Sequence, residues 1–127
     1  MSKIQERTYK CGMELTMDVI GGKWKTVILW HLRNRTLRFS QLKRRLHGIT
    51  QKMLTQQLRE LEEDGLIDRT VFPQVPPKVE YNLTDYGKKI IPVLYSIYCW
   101  GIHYAEDFDL DLDIDKQILE QILNREL

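Results

Sequence analysis

Gln51, Lys52, Thr55, Gln56 and Arg59 lie within nine residues of one another, and each carries a side chain that can meet a nucleic acid. The amide of a glutamine can pair with the edge of adenine, and a guanidinium with that of guanine. A lysine ammonium and a threonine hydroxyl can hold phosphate oxygens. On a helix, Leu54, Leu58 and Leu61 fall on one stripe and these five polar residues on the opposite side. A polar outer face is often no more than a solvated one. Here it lies in a stretch from Val19 to Arg59 with ten basic residues (Lys23, Lys25, Arg33, Arg35, Arg38, Lys43, Arg44, Arg45, Lys52 and Arg59) and no aspartate or glutamate. The whole chain is nearly neutral, at +1, so positive charge is segregated rather than abundant, as a surface facing a phosphate backbone requires. Compensating acids gather at Glu106, Asp107, Asp109, Asp111, Asp113 and Asp115, where they repel nucleic acid from the wrong face.

Other chemistry has little to stand on. Cys11 and Cys99 make no disulfide framework, and His31, His47 and His103 have no zinc-like spacing with them. Gly21-Gly22-Lys23 fails as a phosphate loop, because Trp24 stands where serine or threonine is needed and Met17 where the first glycine belongs. No nucleophile–base pair occurs at local spacing, so the sequence predicts no enzyme, and it carries no cofactor or metal fingerprint. The composition, 43% hydrophobic and 29% charged in 127 residues, is that of one soluble domain spanning residues 1–127. With no secretory signal and no apolar run long enough for a bilayer, the expected location is cytoplasmic, without membrane contact.

The elements that must position the polar face are legible. Residues 13–20 form a short amphipathic helix that Gly21-Gly22 ends. Trp24, Val27, Ile28 and Leu32 mark a second helix. A third begins at Phe39-Ser40, with Ser40 as its expected N-cap, and stops at His47-Gly48. The next is the most strongly marked. Thr50 caps it, Ile49 and Leu54 form a hydrophobic staple, and Gly65 with Leu66 suits a Schellman ending. It should run over about 51–64. Its acids, Glu60, Glu62, Glu63 and Asp64, fall at the far end, away from a nucleic acid entered N-terminus first.

Beyond Gly65 the period changes to two. A hairpin over about 66–83 turns through the stiff loop Pro73-Gln74-Val75-Pro76-Pro77-Lys78. Thr84 should cap a long helix over about 85–106, in which Ile90, Leu94, Ile97 and Gly101 form one apolar stripe and Ile91, Tyr95 and Tyr98 another. A helix apolar on two sides needs two partners, and the simplest second partner is another copy. Pro92 should kink it early. Ile118, Leu119, Ile122 and Leu123 suggest an extra helix over about 115–126. Two helices, a recognition helix and a hairpin make the order of a winged helix-turn-helix: mainly α, with a small β-hairpin and a long C-terminal dimerisation helix. The expected partners are double-stranded DNA and a second copy. The expected DNA-binding set is Ser40, Lys43, Thr50, Gln51, Lys52, Thr55, Gln56, Arg59, Arg69, Gln74 and Lys78. The competing reading is a winged-helix scaffold that binds protein or RNA.

Cys11 ahead of the first helix, Ile20-Gly-Gly-Lys-Trp24, Phe39-Ser-Gln-Leu42, Ile49-Thr-Gln-Lys-Met-Leu-Thr-Gln-Gln-Leu-Arg-Glu-Leu61, Glu63-Asp-Gly-Leu66, Val75-Pro-Pro-Lys-Val-Glu-Tyr81, Leu83-Thr84 and Trp100-Gly101 resemble the HxlR-type transcriptional regulators, bacterial winged-helix proteins. The resemblance covers roughly residues 10–106. It implies a homodimeric, MarR-like DNA-binding regulator paired through its terminal helices, with the helix after Thr50 as recognition helix and the Pro76-Pro77 hairpin as wing. It also implies a role for Cys11, since several members sense oxidants or electrophiles through a cysteine at that place. Arg7, Lys10 and the N-terminus of the first helix would favour its thiolate. The alternative for Cys11 is a small packing residue, which is also the reading for Cys99. The effector, the operator and the sign of regulation are not legible.

Overall fold

The computed structural model describes residues 4–112, so the extra helix expected over 115–126 lies outside the described residues. The chain forms two compact units, Met1–Ile91 and Pro92–Leu127. In the first, a 3₁₀ turn at Ile4–Glu6 precedes helix α1, Gly12–Ile20, and helix α2, Lys25–Leu32. A two-residue strand β1, Leu37–Arg38, leads into α3, Phe39–Arg45, and α4, Gln51–Glu63. Strands β2, Ile67–Phe72, and β3, Lys78–Leu83, complete the unit with a 3₁₀ turn at Gly87–Ile90. The second unit contains α5, Ile91–Asp107, whose first residue closes the first unit.

The signals around α4 act as their chemistry requires. Thr50 Oγ1 accepts from the Met53 amide at 3.1 Å, which satisfies one of the helix's free donors. Ile49 and Leu54 are both buried, as a staple demands. At the other end Gly65 has φ +82°, the left-handed region that favours glycine. The Leu66 amide then reaches Leu61 O, and the Gly65 amide reaches Glu62 O, each at 3.0 Å. These are the two bonds of a Schellman motif. Thr84 ties this ending to the hairpin: its hydroxyl donates to Gly65 O at 2.7 Å and accepts from the Gly87 amide at 2.8 Å. A side chain at Gly87 would strike the Leu66 carbonyl.

Three expectations are corrected. Ser40 does not cap α3; Arg38 stands at the N-cap, and its amide donates to Gln41 Oε1 at 2.8 Å. The reason is β1, which the sequence did not announce. Leu37 and Arg38 pair with Tyr81 and Glu80, so the hairpin becomes a three-stranded antiparallel sheet of order β1-β3-β2, and the chain leaves it already turning at Phe39. Thr84 does not cap the long helix: a 3₁₀ turn with Tyr86 at its N-cap intervenes, and Thr84 Oγ1 accepts from its first amide, that of Gly87. The α-helical hydrogen-bonding begins at Ile91, so Pro92 falls in the first turn, where its missing N–H removes no helix bond.

The core of the first unit is a leucine–isoleucine cluster. Ile28, Leu29 and Leu32 of α2 are buried, as are Leu42, Leu46, Leu54, Leu58, Leu61, Ile67, Tyr81 and Leu83. In the second unit Leu94, Ile102 and Ala105 are buried. A different row of α5 is open: Val93, Ile97, Trp100 and Tyr104, spaced 4, 3 and 4 residues apart, with Phe108 following.

Candidate nucleic-acid interface

The leucine stripe faces the core, so α4 must turn its polar side outward, and Gln51, Lys52, Thr55, Gln56 and Arg59 are all exposed. They divide along two edges. Gln51, Thr55 and Arg59 recur every four residues and line a groove of about 430 Å³ together with Phe39, Leu58, Glu62, Arg69 and Tyr81. The sheet thus brings Arg69 of β2 to the same cleft as three residues of α4. Lys52 and Gln56 sit outside this groove on the solvent edge of α4. Ser40 and Lys43 are exposed on α3, and Thr50 is exposed at the N-cap of α4.

Gln74 is exposed at the hairpin tip, where its backbone N–H donates to Phe72 O at 2.9 Å. Lys78 is half-buried and engaged: its ammonium lies 3.2 Å from Glu80 Oε1 and 4.4 Å from the Phe72 ring centroid. Fully exposed Val75 stands at the tip instead. The sequence reading missed it, although an aliphatic residue in a proline-rich hairpin loop has no core to enter. Minor-groove readers use apolar side chains in such a position.

Two expectations about charge change. Lys25, counted among the basic residues, is buried, and its ammonium sits 2.7 Å from Glu60 Oε2. An ammonium inside a core needs such a partner. Nor are the acids of α4 held away from the face. Glu60 also accepts from Gln56 Nε2 at 3.3 Å, so one carboxylate links α2 to a polar side chain on the outer face of α4. Glu62 lines the groove that Arg59 and Arg69 share.

Cys11 is the exposed N-cap residue of α1. No side-chain hydrogen bond closes this cap. The amides of Glu14 and then Met13 nonetheless lie close enough to hold the thiol below its ordinary pKa, with a small opposing effect of desolvation. Arg7, which the sequence suggested as a contributor, is drawn instead towards Asp18, at 3.5 Å. A lowered thiol pKa means more thiolate at neutral pH. Alkylation of Cys11 by iodoacetamide is therefore expected to follow a pH–rate curve displaced to lower pH than that of an unstructured cysteine peptide, and Cys11→Ser should remove the fast phase. Superimposable curves would show that the helix amides do not act on the sulfur.

The three helices leading to an outward polar face, flanked by a hairpin, define a winged helix-turn-helix. The family profile described as HxlR-like helix-turn-helix matches residues 19–109, and the chain belongs to that family. It is similar to YtcD of Bacillus subtilis (strain 168), an HTH-type transcriptional regulator, at 45% identity over 97% of this chain and 99% of that one. The crystal structure of ytcD superposes with a TM-score of 0.73 at 54% identity, covering 76% of this chain and 98% of that one. The redox regulator HypR in its reduced form superposes with a TM-score of 0.74 at 44% identity, covering 78% and 98%. The protein is accordingly a transcriptional regulator of helix-turn-helix fold and not an enzyme. Among the described residues no helix is long and apolar enough to cross a membrane.

Proposed function

We propose that the protein is a sequence-specific DNA-binding regulator that acts as a homodimer and responds to thiol-reactive species through Cys11. The observation that carries the DNA reading is the shared groove. Gln51, Thr55 and Arg59 of α4 and Arg69 of β2 converge there, with Lys52 and Gln56 beside them. Arg59 and the glutamines are the base-reading groups, and Lys52, Thr50, Ser40 and Lys43 hold phosphates. Gln74 and Val75 approach the adjoining minor groove, and Lys78 stiffens the tip. Two copies related by a two-fold axis present two recognition helices to successive major grooves, so the half-sites lie about one helical turn apart. The exposed row on α5 supports the dimer. The lowered pKa of Cys11 and the likeness to a redox regulator support the thiol response.

Fluorescence anisotropy on duplex DNA from upstream of its own gene tests the assignment. Arg59→Ala is expected to cost about 1–3 kcal/mol on the cognate duplex and little on a scrambled one. Lys52→Ala should weaken both alike and lower the salt slope by about one. Equal effects of the two changes on every duplex would refute this division of roles. Diamide treatment should alter the affinity of the wild type and leave Cys11→Ser unchanged; an identical response in both would remove Cys11 from the reading.

A further inference from the structure

The two glutamines on the outward face of α4, Gln51 and Gln56, are not in the same state. Among the described residues the Gln51 side chain makes no hydrogen bond, so either end of its amide can face a ligand. Gln56 is held. Its Nε2 donates to Glu60 Oε1 at 3.3 Å, one helical turn on. The other oxygen of the same carboxylate, Oε2, lies 2.7 Å from the Lys25 ammonium of α2. The Lys25 side chain is 10% exposed and that of Glu60 38%. One carboxylate therefore bridges a fixed cation in the interior and an amide on the surface.

A carboxylate only accepts hydrogen bonds, so it faces the NH2 half of an amide and not the carbonyl half. Turning Gln56 over would set its Oε1 against Glu60 Oε1, two acceptors with no proton between them. Swinging Glu60 away would strip the buried ammonium of the partner it needs. The amide is thus held in one sense, with Oε1 and the second N–H left for a ligand. The ammonium also offsets the charge of Glu60, which lowers the cost of a carboxylate beside a polyanion. A free glutamine is ambivalent in the major groove. Carbonyl forward, it accepts from the amino group of adenine or cytosine; NH2 forward, it donates to guanine O6 or thymine O4. The first sense alone is open to Gln56, and adenine fits it best, because adenine N7 also accepts the second N–H. On the reading that α4 enters the major groove, we propose that Glu60 is a positioning residue for specificity. Anchored by Lys25, it fixes the Gln56 amide so that this side chain selects adenine and rejects guanine and thymine.

Anisotropy with the full-length protein tests this on a panel of upstream duplexes in which each position carries each of the four base pairs in turn. Gln56→Ala marks the position that Gln56 contacts, as the one whose preference it erases. There the wild type is expected to prefer adenine to guanine about tenfold. Glu60→Gln should reverse the preference towards guanine. The Lys25 ammonium takes the oxygen of the new amide, whose NH2 is left facing Gln56, and Gln56 turns over. Lys25→Met combined with Glu60→Leu removes the anchor without leaving a buried charge, and should bring the ratio within about threefold of unity. Preferences at the positions read by Gln51 and Arg59 should not move in either variant. Loss or reversal confined to the one position supports the assignment. The proposal falls alone if the protein discriminates among duplexes yet Gln56→Ala erases no preference, or the erased preference is for guanine or thymine. It also falls alone if both Glu60 variants keep the wild-type ratio or weaken every duplex equally, which is a structural effect. A wild type that binds cognate and scrambled duplexes alike would sink the reading of α4 itself, and the proposal with it.

Discussion

Replacing Trp100 and Tyr104 together by alanine is expected to turn the proposed dimer into a monomer and to cost at least a hundredfold in affinity for a two-half-site operator. Trp100 is 68% exposed and Tyr104 42%, in a row with Val93 and Ile97. The Trp100 and Tyr104 rings stack with centroids 5.2 Å apart, and Tyr104 stacks on Phe108 at 4.5 Å. Large apolar side chains aligned in this way on a helix mark an interaction surface. Aromatic anchors at an interface centre are commonly worth about 2 kcal/mol each. A two-fold interface presents each residue twice. Discounting heavily for non-additivity, a loss of roughly 4 kcal/mol raises the dimer dissociation constant about a thousandfold. Sedimentation across a dilution series measures this directly, with anisotropy on single and paired half-sites reporting the consequence. A variant that remains a dimer with unchanged operator affinity would place the interface elsewhere; α1, with Met13 66% and Met17 50% exposed, would be the next surface to alter.

Truncating Leu58 to alanine should destabilise the protein by about 3 kcal/mol, within the range of 2–5 seen for buried leucines. Leu58 is 2% exposed on the inner side of α4, between the fully buried Leu54 and Leu61, and it also floors the groove shared by Arg59 and Arg69. The truncation leaves a void that neighbouring leucines fill only in part. Against a total stability of roughly 5–15 kcal/mol, the melting temperature should fall by about 10 °C or more. DNA affinity should fall as well, because the groove residues depend on where α4 rests on the sheet. Thermal and urea unfolding beside anisotropy separates the two effects. The solvent-edge change Gln56→Ala is the control, with a stability effect within about 0.5 kcal/mol. A loss below about 1 kcal/mol for Leu58→Ala would mean that α4 is not anchored through this stripe.

The parts of the fold that were legible are those whose chemistry closes within a few residues. Thr50 meets Met53 three positions on, Leu66 meets Leu61 five positions back, and the leucine stripe repeats within single turns. Such contacts depend on the local chain alone, so type and spacing are enough to specify α4, its ends and its outward face. The change of period after Gly65 and the apolar stripes beyond Thr84 extended that reading to the hairpin and the long helix.

What required the tertiary structure involves partners far apart in the chain, or a competition that composition does not settle. Strand β1 is two residues long and exists because β3 offers it a free edge; that pairing, between Leu37 and Tyr81, also moves the N-cap of α3 from Ser40 to Arg38. Lys25 and Glu60 neutralise each other across thirty-five positions, and Lys78 turns to Glu80 and Phe72 instead of outward. On α5 the sequence drew one stripe through Leu94 and Ile97 and another through Tyr95 and Tyr98, whereas Leu94 and Ile102 are buried and the open row is Val93, Ile97, Trp100 and Tyr104. Local periodicity determines which side chains share a face. Which face is covered, and which charge finds a partner, depends on the neighbours that the rest of the chain brings within a few ångströms.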